Sequence, residues 1–273
     1  PPLVLFSLIT VGYSANALGG AGGPLAVLII AIVASELGKA VSKETRVDIL
    51  VTPLVTIFSG VGLSMLIAAP IGAAASQVGT LIMWATEQAP LVMGILVSVI
   101  VGVALTLPIS SAAICAALGL TGLAGGAAVA GCCAQMIGFA VMSYKENGVG
   151  GLVSQGLGTS MLQMGNIVKN PRIWIAPTLA SAITGPLATC VFHFEMNGAA
   201  VSSGMGTCGL VGQIGVYTGW VSDIAAGVKT AITPMDWAAM VLLCFVLPAV
   251  LSVIFCEIER KLGWIKEGDL KLN

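Results

Sequence analysis

Long charge-free runs alternate with short polar stretches along this chain. Residues 1–35, 49–86, 88–144, 173–194, 196–222 and 237–256 contain no Asp, Glu, Lys or Arg. Inside these runs apolar positions are continuous, as in Leu25–Ala34 and Leu91–Leu107. A membrane-crossing helix needs about 20 apolar residues, whereas a barrel strand alternates over about ten. Only helices satisfy every backbone group within a single continuous apolar segment. The pattern therefore predicts an all-α polytopic membrane protein with about 8–10 membrane segments, some of them broken or re-entrant.

Simple spans are expected at about Leu3–Ala17, Leu25–Ala40, Ile49–Pro70, Leu91–Leu107, Ala127–Tyr144, Ile173–Val191 and Trp237–Cys256, with a further apolar piece at Val216–Val228. Glycine and proline interrupt the helix between Gly19 and Pro24. Residues 71–88 read as interfacial, with Trp84 at a headgroup boundary. Pro108 opens a small-residue stretch to Gly126 that breaks the next span. Glycines 198, 204, 206, 209, 212 and 215 argue against one straight helix over Phe192–Gly215, since each weakens a helix interior. The N-terminal 256 residues form the transport-type domain and 257–273 a charged tail. The chain opens on Pro1–Pro2 inside an apolar run, which predicts an N-terminally truncated fragment.

Composition narrows the class. The chain has 11 Lys+Arg and 12 Asp+Glu in 273 residues, or 8% charged. A soluble domain carries about a quarter. This excludes an ordinary soluble enzyme, and a net charge of −1 offers no lure for nucleic acid. The seven cysteines form no CxxC or Cys/His cluster, so neither a metal site nor a cofactor is expected. Basic residues gather in Lys39–Arg46, in Lys145–Arg172 and in the tail; the positive-inside rule puts all three, including the tail, in the cytoplasm. An even number of full crossings must then separate Arg46 from Lys145, which requires the broken 108–126 segment to cross if the other spans are simple.

Candidate chemistry centres on His193-Phe194-Glu195-Met196-Asn197-Gly198. Glu195 is the one acidic residue between Arg172 and Asp223, and His193 the one histidine of the chain. An ionisable side chain at membrane depth is a functional candidate by default. The carboxylate of Glu195 can accept bonds from sugar or polyol hydroxyls, Asn197 can both donate and accept, and the amides of Gly198 and Gly204 add donors. Gly206 and Thr207 complete the candidate substrate-binding set. Gly204-x-Gly206-x-x-Gly209 has dinucleotide-fingerprint spacing, but it lies in a charge-free membrane run with no strand and no βαβ unit. Two internal echoes stand out: Ser110-Ser111 with Thr121–Gly125 against Ser202-Ser203 with Cys208–Gly212, and Gly156-Leu157-Gly158-Thr159 against Gly204-Met205-Gly206-Thr207. Repeats and discontinuous helices are common in transporters.

Three blocks carry a family resemblance: Gly148–Met161, Asn170-Pro171-Arg172-Ile173-Trp174-Ile175-Ala176-Pro177, and Glu195-Met196-Asn197-Gly198 continuing through Gly204–Gly212. Together with the tail Gly263–Leu270 they resemble the PfoR-type membrane proteins, a group similar to the EIIC membrane component of bacterial sugar phosphotransferase systems. The resemblance implies a dimeric helical transport domain in the bacterial plasma membrane, with re-entrant hairpins around a substrate site. It also implies that Glu195 matches the family's hairpin carboxylate. Phosphotransfer in such systems needs a His and a Cys on soluble modules, which this chain lacks, so it would borrow separate phosphotransferase subunits as partners, transport without phosphorylation, or only sense a ligand.

The function expected is thus a permease for a small polar solute, a sugar or polyol, working by alternating access rather than as an enzyme. The alternative is a membrane sensor that binds a ligand and signals to a cytoplasmic partner without transport.

Overall fold

The computed structural model describes residues 2–20, 23–44 and 47–272. Arg46, one of the charges used to orient the chain, lies outside them. The chain divides into two compact units, residues 1–80 with 116–119, and residues 81–115 with 120–273. Among the described residues six helices are long and apolar enough to cross a membrane. Large apolar side chains such as Phe6, Phe58, Leu66, Ile100 and Val250 are exposed. Such outward faces suit lipid, where burial against protein is not needed to hide them.

The first unit is built on α1 (Pro2–Gly19), α2 (Gly23–Val41) and the start of α3 (Asp48–Gln88). Its core is small: Val11, Ala15, Ala26, Ile30, Ala34 and Ala68. Gly60 of α3 lies against Val11, and Gly38 of α2 against Thr56, so the helices approach through residues with little side chain. α3 differs from the expectation of a span ending at Pro70. It runs unbroken for 41 residues, about 60 Å at 1.5 Å per residue. A π turn, Ser64–Ala68, ends two residues before Pro70. Widening the helix there accommodates a residue that lacks an N–H and crowds the preceding turn. The same device recurs in the second unit, where the π turn Leu242–Val246 ends two residues before Pro248.

The second unit is organised around α6 (Gly122–Met142), whose most apolar window is 89% buried. Its sequence explains why: Gly, Ala and Cys dominate from Gly122 to Ala134, so neighbouring helices can come close. α4 (Pro90–Thr106) runs parallel to it, with Ser98 at Gly131 and Thr106 at Gln135, and α9 (Pro171–Val191) runs antiparallel, with Pro177 at Gly138 and Ser181 at Gly131. Gly131 meets the Ser98 carbonyl, and Gly138 meets Pro177 and Ser252. α11 (Pro234–Lys261) also packs along α6. α6 is 21 residues long, or about 31 Å, close to the hydrocarbon thickness of a bilayer. It serves below as the depth scale, with a Gly122 end and a Met142 end.

Two hairpins dip from the Gly122 end and return. α4 descends until Thr106 stands beside Gln135. The chain then turns at Pro108, and α5 (Ser111–Leu118) leads it back to Gly122. The segment 108–126 is therefore not a simple crossing, and α4, expected as a full span, is the descending arm of this pair. The second hairpin starts at Met196, which pairs antiparallel with Gly122 through N–O contacts of 2.9 and 3.0 Å. It descends through the 3₁₀ turn Ala200–Gly204 to Gly206, which sits against Cys132, and rises again as α10 (Val211–Ala225). Phe192–Leu210 contains no α-helix. Gly206 and Gly209 take φ of +53° and +52°, the left-handed region that lets the tip reverse in four residues. Gly212, Gly215 and Gly219 share one face of α10 and let the descending strand lie against it.

From the Met142 end a third segment comes up. α7 (Tyr144–Val153) runs into a π turn, Ser154–Gly158, and a 3₁₀ turn, Ser160–Gln163, before α8 (Met164–Lys169). Expected as a polar connection, 145–172 is instead a folded element whose Gly156 lies near Ala140 of α6.

Candidate functional site

The three tips meet. Thr207 donates its hydroxyl to the Gly156 carbonyl at 2.5 Å, and Ser111 donates to the Gly204 carbonyl at 2.7 Å. Thr106 and Ser160 share a hydroxyl contact of 2.9 Å. Beneath them Gln135 accepts from Trp174 Nε1 at 2.9 Å and from Thr106 at 3.3 Å, and donates to Thr178 at 3.2 Å. Gln135 is thereby satisfied by helix-to-helix bonds, as a buried amide in lipid surroundings requires. The tips border an open cavity of about 390 Å³ lined by Ser110, Ser111, Thr159, Met161, Met205 and Cys208 among others. The sequence echo between 156–159 and 204–207 is therefore a spatial pair, two Gly-x-Gly-Thr turns facing one space near the middle of α6.

The polar residues picked out around Glu195 lie elsewhere. Met196 is level with Gly122 and Gly206 with Cys132, so ten residues of α6, about 15 Å, separate the two regions. At the Gly122 end a cavity of about 270 Å³ is lined by His193, Glu195, Trp220, Asp223, Lys229 and Asp236, with Phe192 and Met235. Asn197 Nδ2 donates to Glu195 Oε2 at 3.1 Å and to Asp223 Oδ2 at 2.9 Å. One amide group thus spends both of its hydrogens on two carboxylates. Their remaining oxygens are free to accept from a solute. Lys229 pairs with Asp236 at 2.6 Å and lies 5.3 Å from the Trp220 ring centroid. Trp220 is held edge-on by Trp237 at 5.6 Å, and Tyr217 stands 6.0 Å beyond Trp237.

Local sequence explains this placement. Pro186 precedes a π turn, Leu187–Val191, which ends α9 just before His193. His193 takes φ of +44° and turns the chain so that Phe194 buries into the core while Glu195 stays exposed. Phe194 N bonds the Ala188 carbonyl at 2.8 Å, fixing the turn. Pro234 and the capping box between Thr233 and Asp236 start α11 and hold Asp236 beside Lys229.

Of the predicted site residues, His193, Glu195 and Asn197 are therefore grouped at this cavity, with Gly198 packed against Gly215 directly behind them. Gly204, Gly206 and Thr207 are not brought there. They form the hairpin tip, where the Thr207 hydroxyl is buried and already engaged. Sequence reasoning missed Asp223, Trp220 and Lys229. The signal was available: a hairpin over 192–215 returns the chain to the depth at which it left. The charge ending the apolar run, Asp223, must then stand near the charge that began it, Glu195. Among the described residues no group of three or more His, Cys, Asp or Glu side chains is placed to hold a metal ion.

A helical membrane unit with two hairpins dipping toward a common mid-depth cavity, and a carboxylate-lined recess above, is the architecture of a membrane transport component. The family comparison agrees: residues 1–272 match the family model described as "Phosphotransferase system, EIIC", and the chain belongs to that family. No curated protein and no solved structure matches the chain.

Proposed function

We propose that this chain is the solute-translocating membrane component of a sugar phosphotransferase system, and that the recess around Glu195 and Asp223 captures the solute. The observation that carries the reading is the pair of carboxylates bridged by Asn197 beside the Trp220 ring. Carboxylates accept bonds from hydroxyls in pairs. Three carboxylates against one lysine disfavour an anion, so the captured species is an unphosphorylated sugar or polyol. His193 and Gly198 shape the recess. Gly204, Gly206 and Thr207 serve the mid-depth cavity, to which the solute passes when the hairpin tips move.

Charge supports an orientation. Lys145, Lys169, Arg172, Arg260, Lys261, Lys266 and Lys271 belong to the Met142 end, where Lys145 pairs with Glu257 at 2.9 Å and Arg260 with Glu146 at 3.1 Å. By the positive-inside rule that end and the tail are cytoplasmic, and the recess opens to the outside. With α4 and α5 as one dip, α3 and α6 supply the even number of crossings between Arg46 and Lys145. Phosphorylation of the solute belongs to separate soluble subunits, and this chain is not itself an enzyme; it works as a homodimer by alternating access.

The test is a panel of neutral sugars and polyols titrated against the purified protein in detergent, read by thermal shift. A binder of the native state raises the melting temperature increasingly as its concentration exceeds Kd. Binding that persists unchanged in the Glu195→Gln, Asp223→Asn double variant would place the site elsewhere.

A further inference from the structure

We propose that the C-terminal segment Gly263–Leu272 is a releasable latch that sets the mobility of the 154–160 tip beneath the mid-depth cavity. The segment's backbone is held mainly by amide side chains of another part of the chain, with Gly268 N on Glu146 at 3.2 Å and Arg172 over the Trp264 ring at 5.6 Å beside them. α11 ends at Gly263, φ +72°, with Trp264 N bonded to the Glu259 carbonyl at 2.9 Å, and this reversal folds the tail back. Asn170 Nδ2 then donates to the Trp264 carbonyl at 2.9 Å and to Asp269 at 2.8 Å. Asn147 brackets Leu270 and Leu272, donating to the carbonyl of the first and accepting from the N–H of the second, both at 2.8 Å. Asn166 donates to the Lys271 carbonyl at 2.9 Å.

The link to the tip is Gln163. Its Nε2 donates to the Leu270 carbonyl at 3.0 Å and to Gln155 Oε1 at 2.9 Å, and Gln155 donates to Ser143 at 2.7 Å. Gln155, Gln163 and Ser143 are fully buried. Both hydrogens of the Gln163 amide are spent, so departure of the tail strands one of them in the interior. Gln155 lies in the same π turn as Gly156, whose carbonyl holds Thr207. The tail, the buried amides and the hairpin tip therefore form one chain of bonds. The tail is attached by two buried side chains, Ile265 and Leu270, and by bonds at a charged, watered end of the bundle. It is thus poised to detach as a unit while α6 stays packed.

The proposal does not depend on which solute the protein carries, and its test reads no transport. Hydrogen exchange of the full chain in detergent compares wild type with Asp269→Ala, which removes the acceptor for Asn170 and for Lys266 N, and with Leu270→Ala, which keeps the carbonyl but removes the buried side chain. Loss of one such contact raises the population of the open tail about tenfold. The expected result is a rise of that order in 263–272 together with a clear rise in 154–163, and unchanged protection in 124–140. A rise confined to 263–272 overturns the coupling, as does no change in either segment. A uniform rise through α6 overturns it too, because the tail would then belong to the folding core.

Discussion

Gly206 and Gly209 separate two costs that usually arrive together. Both hold positive φ, so alanine at either incurs the strain of the left-handed region, about 1–2 kcal/mol. Only Gly206 is also pressed against another helix. A Cβ there would stand 2.7 Å from Cys132 Cβ and 2.9 Å from Cys133 N, atoms of the central helix that have no room to shift. At Gly209 the nearest atom is its near neighbour Val211 Cγ2 at 3.8 Å, ordinary contact. Overpacking a close contact costs about 1–3 kcal/mol more. Gly206→Ala is therefore expected to destabilise the second unit by about 2–5 kcal/mol in total, and Gly209→Ala by about 1–2. Equilibrium unfolding in mixed detergent, followed by tryptophan fluorescence, measures both. Equal losses from the two variants would mean that the hairpin tip does not rest on α6, and the placement of the mid-depth cavity would fall with it.

Other variants probe the supports of the two cavities. Gln135→Leu removes the acceptor of a buried Trp174 N–H and of Thr106, and should cost about 1–3 kcal/mol with a shift in Trp174 emission; an unchanged spectrum would contradict the network. Thr233→Ala removes the capping box that begins α11 and should cost about 0.5–2 kcal/mol, seen as faster exchange confined to the first turn, 234–238. Lys229→Met breaks a charge-assisted contact only about a quarter exposed and should cost about 1–3 kcal/mol of stability, while affinity for a cationic probe solute should rise as the recess loses its positive charge.

Much of the architecture can be read from charge alone. Glu36, Asp48, Glu87, Lys145, Arg172, Glu195, Asp223 and Asp236 each stand at or near an end of α2, α3, α4, α6, α9, α10 or α11, because a charge is costly inside the hydrocarbon and tolerated at its edge; α1 and the turn between α4 and α6 carry no such mark. The break over 192–215 was legible too, since six glycines in one apolar stretch cannot be sustained as a lone helix. Pro70 misled, because a π turn absorbs a proline without ending the helix, and no local residue pattern announces that turn. The extent of the dip at Pro108 was hidden for a different reason. α4 has the length and apolarity of a crossing, and only its partners at Gly131 and Gln135 show how far it descends. Within the site, Glu195 and Asn197 were legible as isolated polar groups. Asp223 and Trp220 were not, because their relation to Glu195 exists only after the hairpin closes. The hydroxyl of Thr207 looked available in sequence, but the structure spends it on Gly156.

The capture of a neutral polyhydroxy solute between Glu195 and Asp223 is the central claim, and calorimetric titration of the purified protein with the best binder from the sugar panel tests it most directly. Glu195→Gln keeps an acceptor for Asn197 Nδ2 and so preserves the fold around it, but replaces one charged acceptor of the solute by an N–H₂ donor. Hydrogen bonds to a charged partner are worth about 1.5–3 kcal/mol, so affinity should fall tenfold to about a hundredfold with the melting temperature of the free protein essentially unchanged. Unchanged affinity with a lowered melting temperature would contradict the claim and leave Glu195 a structural partner of Asn197.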